Sequence, residues 1–178
     1  MGRDTEDAAS RLHLLATHYR EHPQTGPSER CSPSVTPGAP LNLGIVDYMS
    51  RCVDEVVQHA RDEAAGDIGP LPARVRDVYA WWEEQTEDAP AEVRQRRDIV
   101  IYRQSLEHAI ALGDHDVVCA HPCPRCTTWG LQWQPYTRRA MCLNIDCRGR
   151  DGMSSAWTLA RLATQYVTQK EILKIRAT

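Results

Sequence analysis

Three observations predict a mainly α-helical protein carrying a small cysteine-bearing module towards its C-terminal end. Apolar residues recur at helical spacing in four segments between residues 5 and 111. Beyond Asp116 the period shortens to two, at Trp129, Leu131 and Trp133, as in a half-buried strand. Two tight cysteine pairs bracket that strand: Cys123-Pro124-Arg125-Cys126 and Cys142-Leu-Asn-Ile-Asp-Cys147. A chain of 178 residues accommodates one domain plus a small module, or two small domains.

Residues 1–21 form the first unit. Ala8, Leu12, Leu15, Ala16 and Tyr19 make the stripe of an amphipathic helix over 5–21, Arg11, Arg20 and Glu21 lie outside it, and Pro23 ends it. Residues 22–42 are rich in Pro, Ser, Thr and Gly and predict a flexible loop with no core of its own. A second helix covers 43–65, with Ile45, Met49, Cys52, Val53, Val56 and Ala60 inward; Gly66 and Gly69-Pro70 close it. The third, about 72–86, turns Val75, Val78, Tyr79 and Trp82 inward and Trp81 elsewhere. The fourth starts near Pro90, a residue suited to a first helical turn, and runs to Ala111, with Gly113 as its stop. Its buried side carries Val93, Val100, Leu106 and Ile110. Together residues 43–115 read as a small helical bundle.

The cysteine module spans 116–152. Its first strand ends at Pro135, and residues 136–141 return as a second strand. A helical tail occupies 153–178, N-capped by Ser154 or Ser155, with Leu159, Leu162, Ala163 and Tyr166 on one face. Thr168 and Glu171 have capping-box spacing, which predicts a break near Val167 and a short last helix over 169–176.

Composition narrows the functional classes. No apolar run reaches the roughly 18 residues of a membrane helix, and the charged N-terminus lacks a secretory apolar region. These features place the chain in the cytoplasm, with no membrane partner. Seven cysteines, an odd number, argue against a secreted disulfide framework. Residues 1–120 hold 12 Lys+Arg against 21 Asp+Glu, a net −9, whereas 121–178 hold 9 against 3, a net +6. That asymmetry points either to an anionic partner for the C-terminal part or to attraction between the two parts.

The spacing of Cys123, Cys126, Cys142 and Cys147 suits one tetrahedral zinc ion held by two knuckles. The first knuckle has the commonest spacing. The second is wider, with Asn144 and Asp146 as turn residues and Gly149 relieving crowding behind it. Residues 127–141 between them are long enough for a short β-hairpin. The fold class is therefore mainly α: a small helical bundle, a four-cysteine zinc ribbon with a short β-hairpin, and C-terminal helices. Four thiolates close the coordination sphere, so this one zinc ion is structural and not catalytic. Two disulfides, free thiols or an iron–sulfur cluster are the competing assignments. Cys119 is expected to be a small buried hydrophobe and His121 a surface residue; either is chemically able to replace a ligand. Cys31 and Cys52 have no assigned role.

Arg125, Arg138, Arg139, Arg148 and Arg150 interleave with Trp129, Trp133 and Tyr136, a composition able to contact phosphates and stack on bases. The plain alternative makes the arginines solvated; Trp129 and Trp133 are expected in the module's own core. The segment WTLARLATQYVTQKEILKI resembles the opening of a helix-turn-helix, but no long recognition helix follows it; a C-terminal hairpin docked on the bundle accounts for the same pattern. Arg94, Arg96, Arg97 and Arg103 cluster on the fourth helix and either extend a basic surface or pair with Glu83, Glu84, Glu87 and Asp88, local pairing being the usual explanation. His18 and His22, at i and i+4, lack a third ligand and read as surface residues. The chain contains no phosphate-binding Gly-rich loop, nucleophile elbow or H-E-x-x-H motif, and no small-molecule substrate or catalytic residue is evident.

The layout resembles a group of small proteins encoded by actinobacterial phages and integrated elements. The resemblance is carried by Arg11-Leu12-His13-Leu14-Leu15, Ala39-Pro40-Leu41-Asn42-Leu43 with Val46-Asp47, the Cys123-Pro124-Arg125-Cys126 knuckle, and the run from Cys142 to Arg148. It covers nearly the whole length. It implies a zinc-ribbon accessory protein in the host cytoplasm, bound to DNA or RNA or to a transcription or replication protein. A protein-interaction adaptor, in which zinc only holds a docking surface, is the alternative.

Overall fold

The computed structural model describes residues 2–21, 43–63 and 68–177. The loop expected over 22–42, with Cys31 and His22, lies outside them, as do Gly66 and the side chains of His18, Tyr19, Arg20, Glu21 and Ile45. The described residues are mainly helical with one small antiparallel sheet. Helices α1 (Arg3–Glu21), α2 (Leu43–Glu63), α3 (Val78–Gln85) and α4 (Ala91–Ala111) precede a 3-10 segment, His115–Ala120. Strands β1 (Leu131–Gln134), β2 (Arg139–Cys142) and β3 (Ala156–Trp157) follow, then helix α5 (Leu159–Ala177). Among the described residues no helix is long and apolar enough to cross a membrane.

Two apolar cores share α4. Its N-terminal half gives Val100 and Ile101 to a core with Leu12 of α1, Val56 of α2, and Tyr79 and Trp82 of α3. Its C-terminal half gives Leu106 to a second core with Val118, Leu131, Trp133, Leu159 and Leu162. Cys123, Cys142 and Cys147 belong to this second core, so the cysteine module is built onto α4 and α5. Between the cores lies a polar stitch from α4. The Tyr79 hydroxyl donates to Gln104 Oε1 at 2.6 Å, and Gln104 Nε2 donates to Cys52 O at 3.2 Å and Glu55 Oε2 at 2.8 Å. Gln104 is fully buried, and these bonds satisfy its amide.

Several expectations need correction. The third helix begins at Val78, after a 3-10 turn over Val75–Asp77 in which no residue is buried; no apolar burial stabilises an earlier start. Trp81 joins the first core alongside Trp82. Three of the four α4 arginines pair away from the acids of residues 83–88: Arg96 binds Glu63 of α2, Arg103 bridges Glu55 and Glu107, and Arg97 contacts Asp98 and the Thr86 hydroxyl, meeting Glu83 only at its backbone carbonyl.

Helix α5 runs unbroken through Val167. Leu162, Ala163 and Val167 are all buried, and Lys170 reaches Asp4 of α1 at 2.6 Å. This packing outweighs the local capping preference of Thr168, which is worth about 1 kcal/mol. Neither the helix-turn-helix opening nor the docked C-terminal hairpin therefore forms; one continuous helix takes their place. Nor do Ser154 and Ser155 cap α5. Ala156 and Trp157 pair with β2, and the cap is Thr158, whose hydroxyl accepts the Arg161 N–H at 3.2 Å.

Candidate metal centre

Both knuckles are tied by their own backbone. In the first, Thr127 N–H donates to Cys123 O at 2.9 Å and Cys123 N–H to Thr128 O at 3.0 Å. Thr127 takes the left-handed conformation, φ 59°, that so tight a reversal requires. In the second, the Asn144 side chain accepts the Asp146 N–H at 3.0 Å, and Cys147 N–H donates to Asn144 O at 3.0 Å. Asn144 Nδ2 lies 3.3 Å from the Thr128 hydroxyl and links the two turns. Ser155 closes the unit: Cys142 N–H donates to its carbonyl at 2.9 Å, and its own N–H donates to Cys147 O at 3.0 Å.

This scaffold gathers the four sulfurs. All lie within 4.8 Å of one another, with Cys123 and Cys147 at 3.8 Å and Cys126 and Cys142 at 3.7 Å. None is in a disulfide, whose sulfurs would sit about 2.05 Å apart. Sulfurs bound tetrahedrally at about 2.3 Å from one ion would stand about 3.8 Å apart, so the cluster can hold a metal ion. Cys123, Cys142 and Cys147 are buried and Cys126 is partly exposed.

Donors aim at the sulfurs. The Thr128 hydroxyl, 3.0 Å from Cys126 Sγ, and then the Thr128 N–H hold the Cys126 thiol below its usual range. Burial pushes Cys142 up, opposed by the Asn144 N–H. Ser155 Oγ lies 3.4 Å from Cys147 Sγ. Neither residue was singled out from the sequence as a sulfur partner: the signal for Thr128 is its place two residues after Cys126, and Ser155 carries no local signal for that role, because β3 brings it there.

Cys119 and His121 exchange their expected places. Cys119 is exposed, its thiol donating to Leu131 O at 3.1 Å. His121 is buried, and burial lowers its pKa. Its Nε2 meets the Tyr102 hydroxyl at 2.9 Å and its Nδ1 meets Val117 O at 3.2 Å. The 3-10 segment reverses the two faces, and neither residue joins the sulfur cluster.

Trp129 and Trp133 also part. Trp133 is 8% exposed and in the second core, whereas Trp129 is 66% exposed. Gly130, at φ 125°, breaks the extended backbone between Trp129 and β1 and turns Trp129 outward. Gly149 also serves a different purpose from the one expected: its N–H donates to Met153 O at 2.7 Å, and a Cβ there would stand 2.5 Å from Asp151 Oδ1.

The five arginines form two groups. Arg125 donates to Arg148 O, and Arg148 donates to Ile145 O and Gly152 O, each at 3.0 Å. These two brace the second knuckle, with exposed Arg150 beside them. Arg138 and Arg139 sit at the opposite end of the β1–β2 hairpin, where Gln134 pairs with Arg139. Three strand residues, about 10 Å, separate that end from the Leu131–Cys142 pair. The returning strand starts only at Arg139, because Pro135 to Arg138 form the turn, with Arg138 at φ 51°. No protein-family model, curated protein or solved structure matches the chain.

Proposed function

We propose that the four cysteines hold one zinc ion in a closed structural site, forming a zinc ribbon. The chain is then a non-catalytic regulator of a phage or mobile element, associated with nucleic acid or the transcription machinery. Zinc suits an all-thiolate donor set with tetrahedral spacing, and four protein ligands leave no position for water or substrate. The observation that carries the nucleic-acid reading is the state of Arg138, Arg139 and Arg150. Each is exposed and makes no ion pair among the described residues, on a segment with net charge +6.

Metal analysis of protein purified without chelator tests the first part, with one zinc per chain expected. Binding to labelled DNA and RNA across a salt series tests the second. Affinity should fall steeply with salt, as counterion release requires. Absence of zinc refutes the ribbon, and absence of binding at low salt refutes the nucleic-acid reading and favours the adaptor.

A second reading, the protein adaptor, is favoured by one specific observation. Leu143, Ile145 and Met153 join Trp129 as exposed apolar side chains around the knuckles, with Ile145 at 75% and Met153 at 68%. Leu143 N–H donates to Gly130 O at 2.9 Å, so the Trp129 and Leu143 segments adjoin. Exposed apolar groups gathered in this way mark interaction surfaces. Co-purification with nuclease treatment separates the readings: a protein partner that survives nuclease and high salt supports the adaptor.

A further inference from the structure

Resting on the nucleic-acid reading, we infer that the hairpin end remote from the cysteines, with the groove beside it, binds single-stranded nucleic acid in preference to duplex. The groove, about 680 Å³, lies between α2, α4, the β1–β2 turn and the start of α5. Its size is that of sites for small organic groups, generally about 300–1,000 Å³. Trp133 and Leu159 give it apolar walls, Tyr48 stands on the α2 side, and Arg138 on the turn side.

The charges are sorted by depth. Arg103, which also lines the groove, is already neutralised by Glu55 and Glu107. Glu107 accepts from Arg103 through Oε1 at 2.6 Å, and its Oε2 has no donor among the described residues. A phosphate pushed into this groove would meet an acceptor carboxylate and no free cation from α4. An unpaired base would meet what suits it: apolar walls for its faces and a carboxylate oxygen for an exocyclic N–H. The turn offers the reverse. Arg138 and Arg139 are exposed without ion pairs among the described residues, and Tyr136 between Pro135 and Arg138 is fully exposed. A cationic edge with a bare aromatic ring is the pairing that holds a strand's phosphates and stacks on its bases. In a duplex the base edges are already paired and the phosphates lie outermost, so only the turn could be used.

The test compares fluorescein-labelled single-stranded DNA and RNA oligonucleotides with the same DNA annealed to its complement, by fluorescence anisotropy on the full, zinc-loaded chain. Single strands should bind more tightly than the duplex. Tyr136→Ala should weaken single-strand binding about tenfold and leave duplex binding nearly unchanged. Arg138→Ala with Arg139→Ala should reduce the single-strand salt slope by about 1.4, the value for two phosphates. These side chains are exposed, so unchanged zinc content and circular dichroism verify that the variants fold. Equal or tighter duplex binding overturns the inference and leaves the regulator reading standing. So does single-strand binding that Arg150→Ala abolishes and the turn variants do not alter. No affinity for any of the oligonucleotides at low salt overturns both.

Discussion

Removal of the proposed zinc should unfold one half of the molecule before the other. Three of the four cysteines are buried in the second core, beside Leu106 of α4 and Leu159 and Leu162 of α5. Without an ion, sulfurs held 3.7–3.8 Å apart have only weak S–H contacts as thiols and repel one another as thiolates. Structural zinc contributes about 10–16 kcal/mol in small modules, as much as a whole domain's usual stability of about 5–15 kcal/mol. What an experiment reads is set by linkage: free zinc at about a thousand times its Kd adds about 4 kcal/mol. For a chain of this size each kcal/mol moves Tm by about 2–4 °C, so saturating zinc should raise Tm by about 8–16 °C.

Hydrogen exchange with and without chelator gives the location. The three strands, the 3-10 segment before them, the C-terminal half of α4 and the first half of α5 should lose protection first. α1, α3 and the N-terminal half of α4 should keep it, because their core contains no cysteine ligand. Cys142→Ser should reproduce the chelated pattern in the presence of zinc. Uniform loss across both cores, or a Tm indifferent to zinc, would refute the reasoning.

Two further outcomes follow from single residues. His108 is fully buried, and burial lowers its pKa from 6.5 to about 4; between those values the unfolded chain binds the extra proton, so stability should fall by about 3 kcal/mol as pH drops from 6.5 to 4, and urea melts should show His108→Leu removing that part of the acid sensitivity. Arg148→Ala should cost about 1 kcal/mol, read by thermal melting, because the carbonyls of Ile145 in the second knuckle and Gly152 beyond it lose their donor, whereas Arg150→Ala should leave Tm unchanged.

The readable parts of this sequence were those fixed by local chemistry. Cysteine spacing located the sulfur cluster, because a tetrahedral site constrains its ligands within two short turns. Helical periodicity located α1 and α2 closely, since each buries an apolar stripe, and α4 was bounded by Pro90 and Gly113 although it is buried on several faces. The misreadings have tertiary causes. Ser155 looked like a helix cap, yet β3 pairing places it between Cys142 and Cys147. Thr168 and Glu171 looked like a helix start, yet the buried Val167 and the Lys170–Asp4 pair carry α5 through them. Gln104 and His108, to which the sequence assigned no role, are fully buried on α4, one bonded across to α2 and α3, the other set against Tyr48 and Tyr79. No local pattern announces a partner that distant in sequence.

The same geometry gives the proposed zinc an influence beyond stability. β1 and β2 meet through only four residue pairs, Leu131–Cys142 at one end and Gln134–Arg139 at the other. Because side chains alternate along a strand, a slip of β2 by one residue would turn Ala140 and Cys142 out of the core and Arg139 into it. So short a hairpin has few cross-strand contacts with which to resist that slip. Cys142 is both a sulfur of the cluster and the last residue of β2, so an ion bound there would pin the register at one end. With the register pinned, Arg139 is held outward and the turn carrying Tyr136 and Arg138 is held beside the groove. The proposed metal would thus act on binding without touching the ligand. Its loss should abolish single-strand affinity even though every arginine of the turn remains in place.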